Sequence, residues 1–249
     1  MRIVVKVGTS TLAHATGRLN IRHVEELVKV LSDLKNAGHQ VILVSSGAIG
    51  MGVGKLNLPG KPSDMPTKQA AAAVGQCELM YTYDKLFLQY NHTVAQVLLT
   101  GEDVDHPERR ENFENTMERL LELGALPVIN ENDTIATAEI KVGDNDTLGA
   151  IVACCTKADL LVLLSDIEGL YTADPRKDPN AKLIPTVEEV TPEIEALAGG
   201  VGSSLGTGGM ATKLRAAKMV IAQGCDMVIT NGEHPERLYD IAEGKDVGT

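Results

Sequence analysis

Tryptophan is missing from this chain, and aromatic residues supply only 3% of its 249 positions. Single-stranded nucleic acid is gripped by stacking bases on aromatic side chains, and there is little here to build such a platform. Excess positive charge is missing as well. Thirty-four acidic residues face 23 basic ones, for a formal net charge of −11, and such a surface repels a phosphate backbone. Nucleic acid is therefore excluded as a partner. Cysteine is scarce and unpatterned: Cys77, Cys154, Cys155 and Cys225 form no CxxC pair, and adjacent Cys154 and Cys155 sit in an apolar run. That pattern reads as reduced, buried thiols rather than a disulfide framework or a zinc site. No apolar run approaches the roughly 18 residues that suggest a membrane span. The chain also opens directly on a strand-like segment, "RIVVKV", with no signal-peptide core. A cytoplasmic protein with no membrane contact is expected.

What the chain does have is aliphatic bulk, with 43% of residues hydrophobic. With so few rings, the core must be Val, Ile, Leu and Ala, as in helix-covered parallel sheets. Short β-branched or aliphatic runs at 3–7, 41–44, 93–99, 126–129, 159–164 and 226–230 read as strands. Between the first two, Val24, Leu27, Val28, Leu31 and Leu34 recur at helical spacing, and Gly38 supplies a stop. Further helices are expected over most of 68–90, 112–123, 145–157, 209–223 and 235–243. This alternation predicts a mainly parallel sheet between two layers of helices, joined by right-handed crossovers. The length admits one large α/β domain or two small ones. Two proline-punctuated stretches, 56–66 and 171–185, read either as lids over a site or as long surface connections.

Three glycine-rich elements follow strands: "KVGTS" (6–10), "SSGAIGMGVGK" (45–55) and "GTGGMATK" (206–213). Ligands of open α/β sheets collect at the carboxyl ends of strands. Glycine lets backbone N–H groups approach a phosphate, and a helix N-terminus favours its charge. The named nucleotide motifs nevertheless fail. Gly54-Lys55 is followed by Leu56 and Gly60-Lys61 by Pro62, so there is no Walker A loop, and Gly50, Gly52 and Gly54 are spaced GxGxG rather than GxGxxG.

Two lysines stand out. Lys6 lies among Ile3, Val4, Val5 and Val7, where burial is costly unless it meets an anion; the alternative is a strand-end lysine reaching solvent. Lys213 follows "TGGMAT" in the first turn of an expected helix, where its charge opposes the helix dipole. Two lysines beside glycine-rich turns suit phosphoryl transfer, which needs positioned cations rather than a covalent nucleophile. The stretch 129–146 concentrates Asn130, Glu131, Asn132, Asp133, Glu139, Asp144, Asn145 and Asp146. It reads as a solvated acidic loop or as a site for a cation, an amine or a metal-bound phosphate.

In the order "KVGTS", "SSGAIGMG", "PVINENDTIATAEIKVGDND", "SDIEGLYTADPR" and "GTGGMATK", the chain resembles the amino acid kinase superfamily over essentially its whole length. Within it, the 129–146 stretch followed by "GTGGMATK" is similar to the branch that phosphorylates the γ-carboxylate of L-glutamate with ATP, opening proline biosynthesis. The resemblance implies a three-layer αβα sandwich with a mainly parallel sheet of about eight strands. It implies a single domain over 1–249, with an amino acid lobe at about 1–150 and a nucleotide lobe at about 151–249, and without the PUA domain that many members carry. Lys6, Asp146 and Lys213 become the catalytic set, Asp146 ordering the two lysines. Ser46, Gly47, Asp133 and Asn145 become the glutamate site. Lys6, Gly8, Thr9, Ser165, Asp166 and Thr207, Gly208, Gly209, Met210, Ala211, Thr212 and Lys213 become the ATP site. Ser165 stands where the family often has threonine, which keeps the hydroxyl. Mg²⁺ is expected to arrive with ATP and to be held mainly by its phosphates. Proline is expected as a feedback inhibitor and the protein as a homo-oligomer, dimer or tetramer. Sibling kinases acting on aspartate, N-acetylglutamate or carbamate, and a non-catalytic nucleotide or amino acid sensor, are the alternatives.

Overall fold

Six strands form one sheet in which every neighbouring pair is parallel: β1 Arg2–Val7, β2 Gln40–Ser45, β3 Val94–Leu99, β4 Leu126–Glu131, β5 Leu160–Ser165 and β6 Asp226–Asn231. Their order across the sheet is β3-β4-β2-β1-β5-β6. The computed structural model describes residues 1–14, 18–136, 144–198 and 209–249. Among these the sheet has six strands rather than about eight, and each of the six lies where the aliphatic runs placed it. The helices are α1 Thr9–Leu12, α2 Ile21–Asn36, α3 Ala48–Lys55, α4 Met65–Leu88, α5 Gly101–Asp105, α6 Pro107–Glu122, α7 Asn145–Cys155, α8 Pro192–Leu197, α9 Met210–Ile221 and α10 Arg237–Ala242. The helices α1, α3, α5 and α8 were not anticipated, being too short to show a 3.6-residue period.

Local chemistry explains the longer helices. Asn20, Asp64 and Asp144 cap α2, α4 and α7 by accepting from backbone N–H groups three residues on, which satisfies donors that the first turn leaves free. Pro66 and Pro107 lie in the first turns of α4 and α6, where no N–H is needed. Gly38, at φ +96°, ends the α2 connection in a conformation that favours glycine.

Strand alternation sorts the core into two layers. Ile3, Val5 and Val7 of β1, Val41 and Leu43 of β2, and Val162 and Leu164 of β5 pack with α2, α4 and α10. Val4, Ile42, Val44, Leu161 and Leu163 project to the other face, against α6, α7 and α9. The result is a sheet sandwiched between helical layers. Lys6 shares the parity of Val4, so it points into the layer that contains α7 and α9. Among the described residues no helix is long and apolar enough to cross a membrane.

One glycine-rich element does a different job from the one its sequence suggested. Residues 48–55 are helix, not a phosphate-cradling loop. Gly52 of α3 and Gly75 of α4 let the two helices touch backbone to backbone: a Cβ at Gly75 would collide with the Ala48 carbonyl oxygen, and one at Gly52 with that of Ala71. Among the thiols, Cys155 and Cys225 are buried and Cys154 is half-buried, but Cys77 is exposed, contrary to the buried reading. It occupies an outward position of α4. The 171–185 stretch closes on itself through an antiparallel bridge between Tyr171 and Leu183. Gly75→Ala should destabilise the fold by about 1–3 kcal/mol, the usual cost of overpacking, measured by urea denaturation. A loss near zero would show that the α3–α4 contact yields freely.

Candidate active site

Because the strands are parallel, β1, β2, β4 and β5 all deliver their carboxyl ends to one edge of the sheet. The chain lays β2 beside β1, sets β3 at the edge and inserts β4 between β2 and β3, then returns to lay β5 and β6 on the opposite side of β1. Such a reversal opens a crevice at the carboxyl edge, and Lys6 sits at it, near the end of β1. The N-terminal ends of α1, α3 and α7 follow β1, β2 and β4 toward this edge, and α9 packs beside α7.

The centre is a buried ion cluster. Asp146, in the first turn of α7, is only 1% exposed; Lys6 is 8% and Lys213 5% exposed. Lys6 Nζ lies 2.6 Å from Asp146 Oδ1, and Lys213 Nζ donates to Oδ2 at 2.9 Å. Thr212 Oγ1 donates to the same Oδ2 at 2.9 Å and also lies 2.7 Å from the Gly209 carbonyl oxygen. Burial alone would push the Asp146 carboxyl up, but the two ammonium groups reverse this and bring it to about 2. Ionised Asp146 sits well at a helix N-terminus. Lys213, in the first turn of α9, sits badly there and is compensated by the carboxylate. Among the described residues, two ammoniums and one carboxylate leave one positive charge unmatched in a nearly dry place, which favours an anionic ligand.

Glycines shape this cluster. Gly149 of α7 lies against the aliphatic stem of Lys6: a Cβ there would sit 3.4 Å from Lys6 Cβ, in ordinary van der Waals contact. A Cβ on Gly8 would lie 3.5 Å from Lys6 Nζ, so the ammonium hangs over the turn that opens α1. Gly149 was not among the sequence-derived candidates, because a glycine inside a helical run carries no ligand signal.

Beside the ions lies a string of amides and a hydroxyl. Asn145 Nδ2 donates to Ser46 Oγ at 2.6 Å, with the Ser45 carbonyl and Asn130 Oδ1 each 3.3 Å away. Asn130 Oδ1 also accepts from the Glu131 N–H at 2.9 Å, and Asn130 Nδ2 donates to Gln76 Oε1 at 3.0 Å. Gly47, at φ +103°, turns the chain from β2 into α3. The structure thus brings together Lys6, Asp146, Lys213, Thr212, Gly8, Thr9, Gly209, Ser46, Gly47 and Asn145. Asp133 is in the turn directly after β4, half-buried. Ser165 ends β5, its hydroxyl donating to Asp166 Oδ1 at 3.2 Å, while Asp166 Oδ2 pairs with Arg176 at 2.8 Å. Met210 and Ala211 fill the first turn of α9. Thr207 and Gly208 lie outside the described residues, as does 137–142 of the stretch between Asp133 and Asp144. Asn130 and Gln76 were missed as site candidates. Asn130 lay inside the flagged stretch, but Gln76 sits in an alanine-rich helical run with no signal of its own. Burial pushes the thiols of Cys155 and Cys225 up to about 11 and about 12, so neither is a nucleophile at neutral pH.

The sequence model described as the amino acid kinase family matches residues 1–231. The chain belongs to that family. Among curated relatives in it, the glutamate 5-kinase of Listeria welshimeri is 54% identical, over 100% of this chain and 91% of its own. The enzyme of the same name from Clostridium perfringens is 53% identical over 100% and 94%, and that of Clostridium tetani 56% over 99% and 92%. Solved family structures share the fold at low identity. Isopentenyl phosphate kinase from T. acidophilum superposes with a TM-score of 0.69 at 18% identity, covering 100% of this chain and 99% of that one. Carbamate kinase from Giardia lamblia, bound to AMP-PNP, gives 0.69 at 15% over 100% and 98%. The sandwich expected from the family resemblance is the one observed.

The Asp146 carboxyl titrates near 3.8 when free and near 2 in the fold. Its ionisation therefore adds stability at higher pH, and that contribution is lost as pH falls from about 4 to about 2. Asp146→Asn should remove this acid limb from a denaturation series. It should also cost about 3–5 kcal/mol at neutral pH by leaving two ammoniums unpaired. An unchanged acid limb would show that other carboxylates set it.

Proposed function

We propose that the chain transfers the γ-phosphoryl group of ATP to the γ-carboxylate of L-glutamate, giving L-glutamyl 5-phosphate and ADP, the step that opens proline biosynthesis. The observation that carries this reading is the buried Lys6–Asp146–Lys213 cluster with its unmatched positive charge, in a chain 53–56% identical to enzymes named glutamate 5-kinase.

The chemistry asks for what the site supplies. A carboxylate acceptor is already ionised at neutral pH, so no general base is needed. Its oxygen forms the new bond to phosphorus while the bond to the ADP oxygen breaks and the electron pair leaves with ADP. What remains is alignment of two anions and neutralisation of the charge they share. Lys6, over the Gly8 turn, stabilises the phosphoryl group in flight with the N–H groups near Gly8 and Thr9. Lys213, on α9, neutralises the leaving side. Asp146 keeps both ammoniums from separating, and Thr212 ties the α9 turn to it. Ser46, Gly47, Asp133 and Asn145 hold glutamate. Ser165, Asp166 and Thr207 through Lys213 line the nucleotide site. Both Asp146 oxygens are engaged by lysine, so this carboxylate would not ligate a Mg²⁺ ion; one arriving with ATP would be held mainly by phosphate oxygens and water and would supply further charge neutralisation. Proline, a compact amino acid, competes with glutamate in this reading, and the working protein is a cytoplasmic homo-oligomer.

A hydroxamate assay for acyl phosphate tests the assignment. Glutamate should support turnover while aspartate and N-acetylglutamate do not; turnover confined to another acceptor would overturn it. Lys6→Ala and Lys213→Ala should each lower kcat by about 100-fold or more, with a smaller loss of stability than Asp146→Asn because each leaves Asp146 one ammonium. Full activity in either variant would remove that lysine from the mechanism. Asp133→Ala should chiefly raise the KM for glutamate, and an unchanged KM would return it to the surface.

A further inference from the structure

Helix α4 buries a stripe that is apolar except at two positions, Gln76 and Tyr83, seven residues apart and so on one face. Both reach the sheet edge where the site lies. Tyr83 OH and Ser45 Oγ are 2.8 Å apart. Gln76 Oε1 accepts from Asn130 Nδ2. Gln76 Nε2, fully enclosed, has no hydrogen-bond partner among the described residues. An unmatched buried donor is destabilising, and Met or Leu would fill a similar volume without one. What glutamine supplies here is the acceptor at its other end.

That acceptor holds the far end of a hydrogen-bond string whose direction the backbone sets. The Glu131 N–H can only donate, so Asn130 must present Oδ1 to it and Nδ2 to α4. Gln76 must then offer oxygen. Asn130 Oδ1 also faces Asn145 Nδ2, so the Asn145 amide turns its donor end inward, to Asn130, the Ser45 carbonyl and Ser46 Oγ. Its acceptor end is the opposite one. Ser46 Oγ accepts from Asn145 and so keeps its own proton to donate. An acceptor on Asn145 and a donor on Ser46 complement an ammonium and a carboxylate, the two charged groups common to every α-amino acid.

We propose that Gln76 is a positioning residue for the amino acid substrate: by anchoring Asn130 it holds Asn145 and Ser46 where their outward ends meet the ligand. This rests on the reading of the site as a glutamate site, deepens it, and assigns recognition of the substrate's zwitterionic end to a string anchored in α4. Without the Gln76 acceptor Asn130 Nδ2 is left buried and unpaired, the Asn130 side chain is held at its oxygen end alone, and its contact with Asn145 loosens.

The test compares Gln76→Met, which loses the acceptor at similar volume, with Gln76→Glu, which keeps one. Gln76→Met should raise the KM for L-glutamate about tenfold, leaving kcat and the KM for ATP within about threefold, and Gln76→Glu should recover most of that loss. Combining Gln76→Met with Ser46→Ala should raise KM by much less than the product of the two single effects, because both act through one string. If Gln76→Met is too unstable to assay, Gln76→Glu decides by itself: its KM for L-glutamate should stay within about threefold of wild type, and a rise of about tenfold or more counts against the proposal. An unchanged glutamate KM in Gln76→Met, or equal losses for glutamate and ATP, overturns it. Wild-type protein that makes no hydroxamate from glutamate overturns the substrate assignment instead, so the two failures are distinct.

Discussion

Two ammonium groups and one carboxylate share a space that water scarcely enters, and the three residues come from positions 6, 146 and 213 of the chain. None of the three is tolerable alone at that depth. Lys6 needs a counter-ion because its strand is walled by β2 and β5. Lys213 needs one because it opposes the dipole of its own helix. Asp146 answers both, and its ionisation is held far into the acid range as a result. The cluster therefore specifies how α7 and α9 seat against β1, while its stability cost is offset only by completeness. The leftover positive charge turns that structural bargain into a preference for phosphate.

The amide string is the cluster's neutral counterpart. It uses groups that are never charged, at positions where a second carboxylate would compete with Asp146 for the lysines. Its members come from β2, α4, β4 and α7. The close α3–α4 contact through Gly52 and Gly75 keeps the turn at Ser46 and Gly47 in register with the helix that backs it. Ion cluster and amide string meet at adjacent residues, Asn145 and Asp146. One turn of α7 thus carries a link to each half of the proposed reaction.

Much of the fold was legible because parallel buried strands write themselves as aliphatic runs, and all six were read that way. Lys6 was legible as an anomaly within such a run, and Asp146 only by the family resemblance. What escaped notice has a physical reason in each case. Helix α3 was misread because its glycines look like a loop, although they serve helix contact. Gln76 was invisible because a single polar residue on an apolar stripe has no local signature; only the partner that folding brings to it gives it meaning. Gly149 escaped for the same reason, since the lysine stem it lies against is 143 positions earlier.

The strand order has a consequence for synthesis. Strand β1 is made long before one of its two partners: it is bonded on one side to β2 but on the other to β5, which ends only at Ser165. Until then β1 has one open edge of unpaired N–H and C=O groups, with Ile3, Val5 and Val7 on one face and, on the other, a lysine whose counter-ion at Asp146 precedes β5 by only a helix. An open apolar edge invites pairing with another chain. Lys6, uncompensated at that stage, works against such pairing, because a buried bare charge is the strongest penalty the edge can impose. The residue proposed to steady a phosphoryl group in the finished enzyme is thus also the guard of its own unfinished sheet.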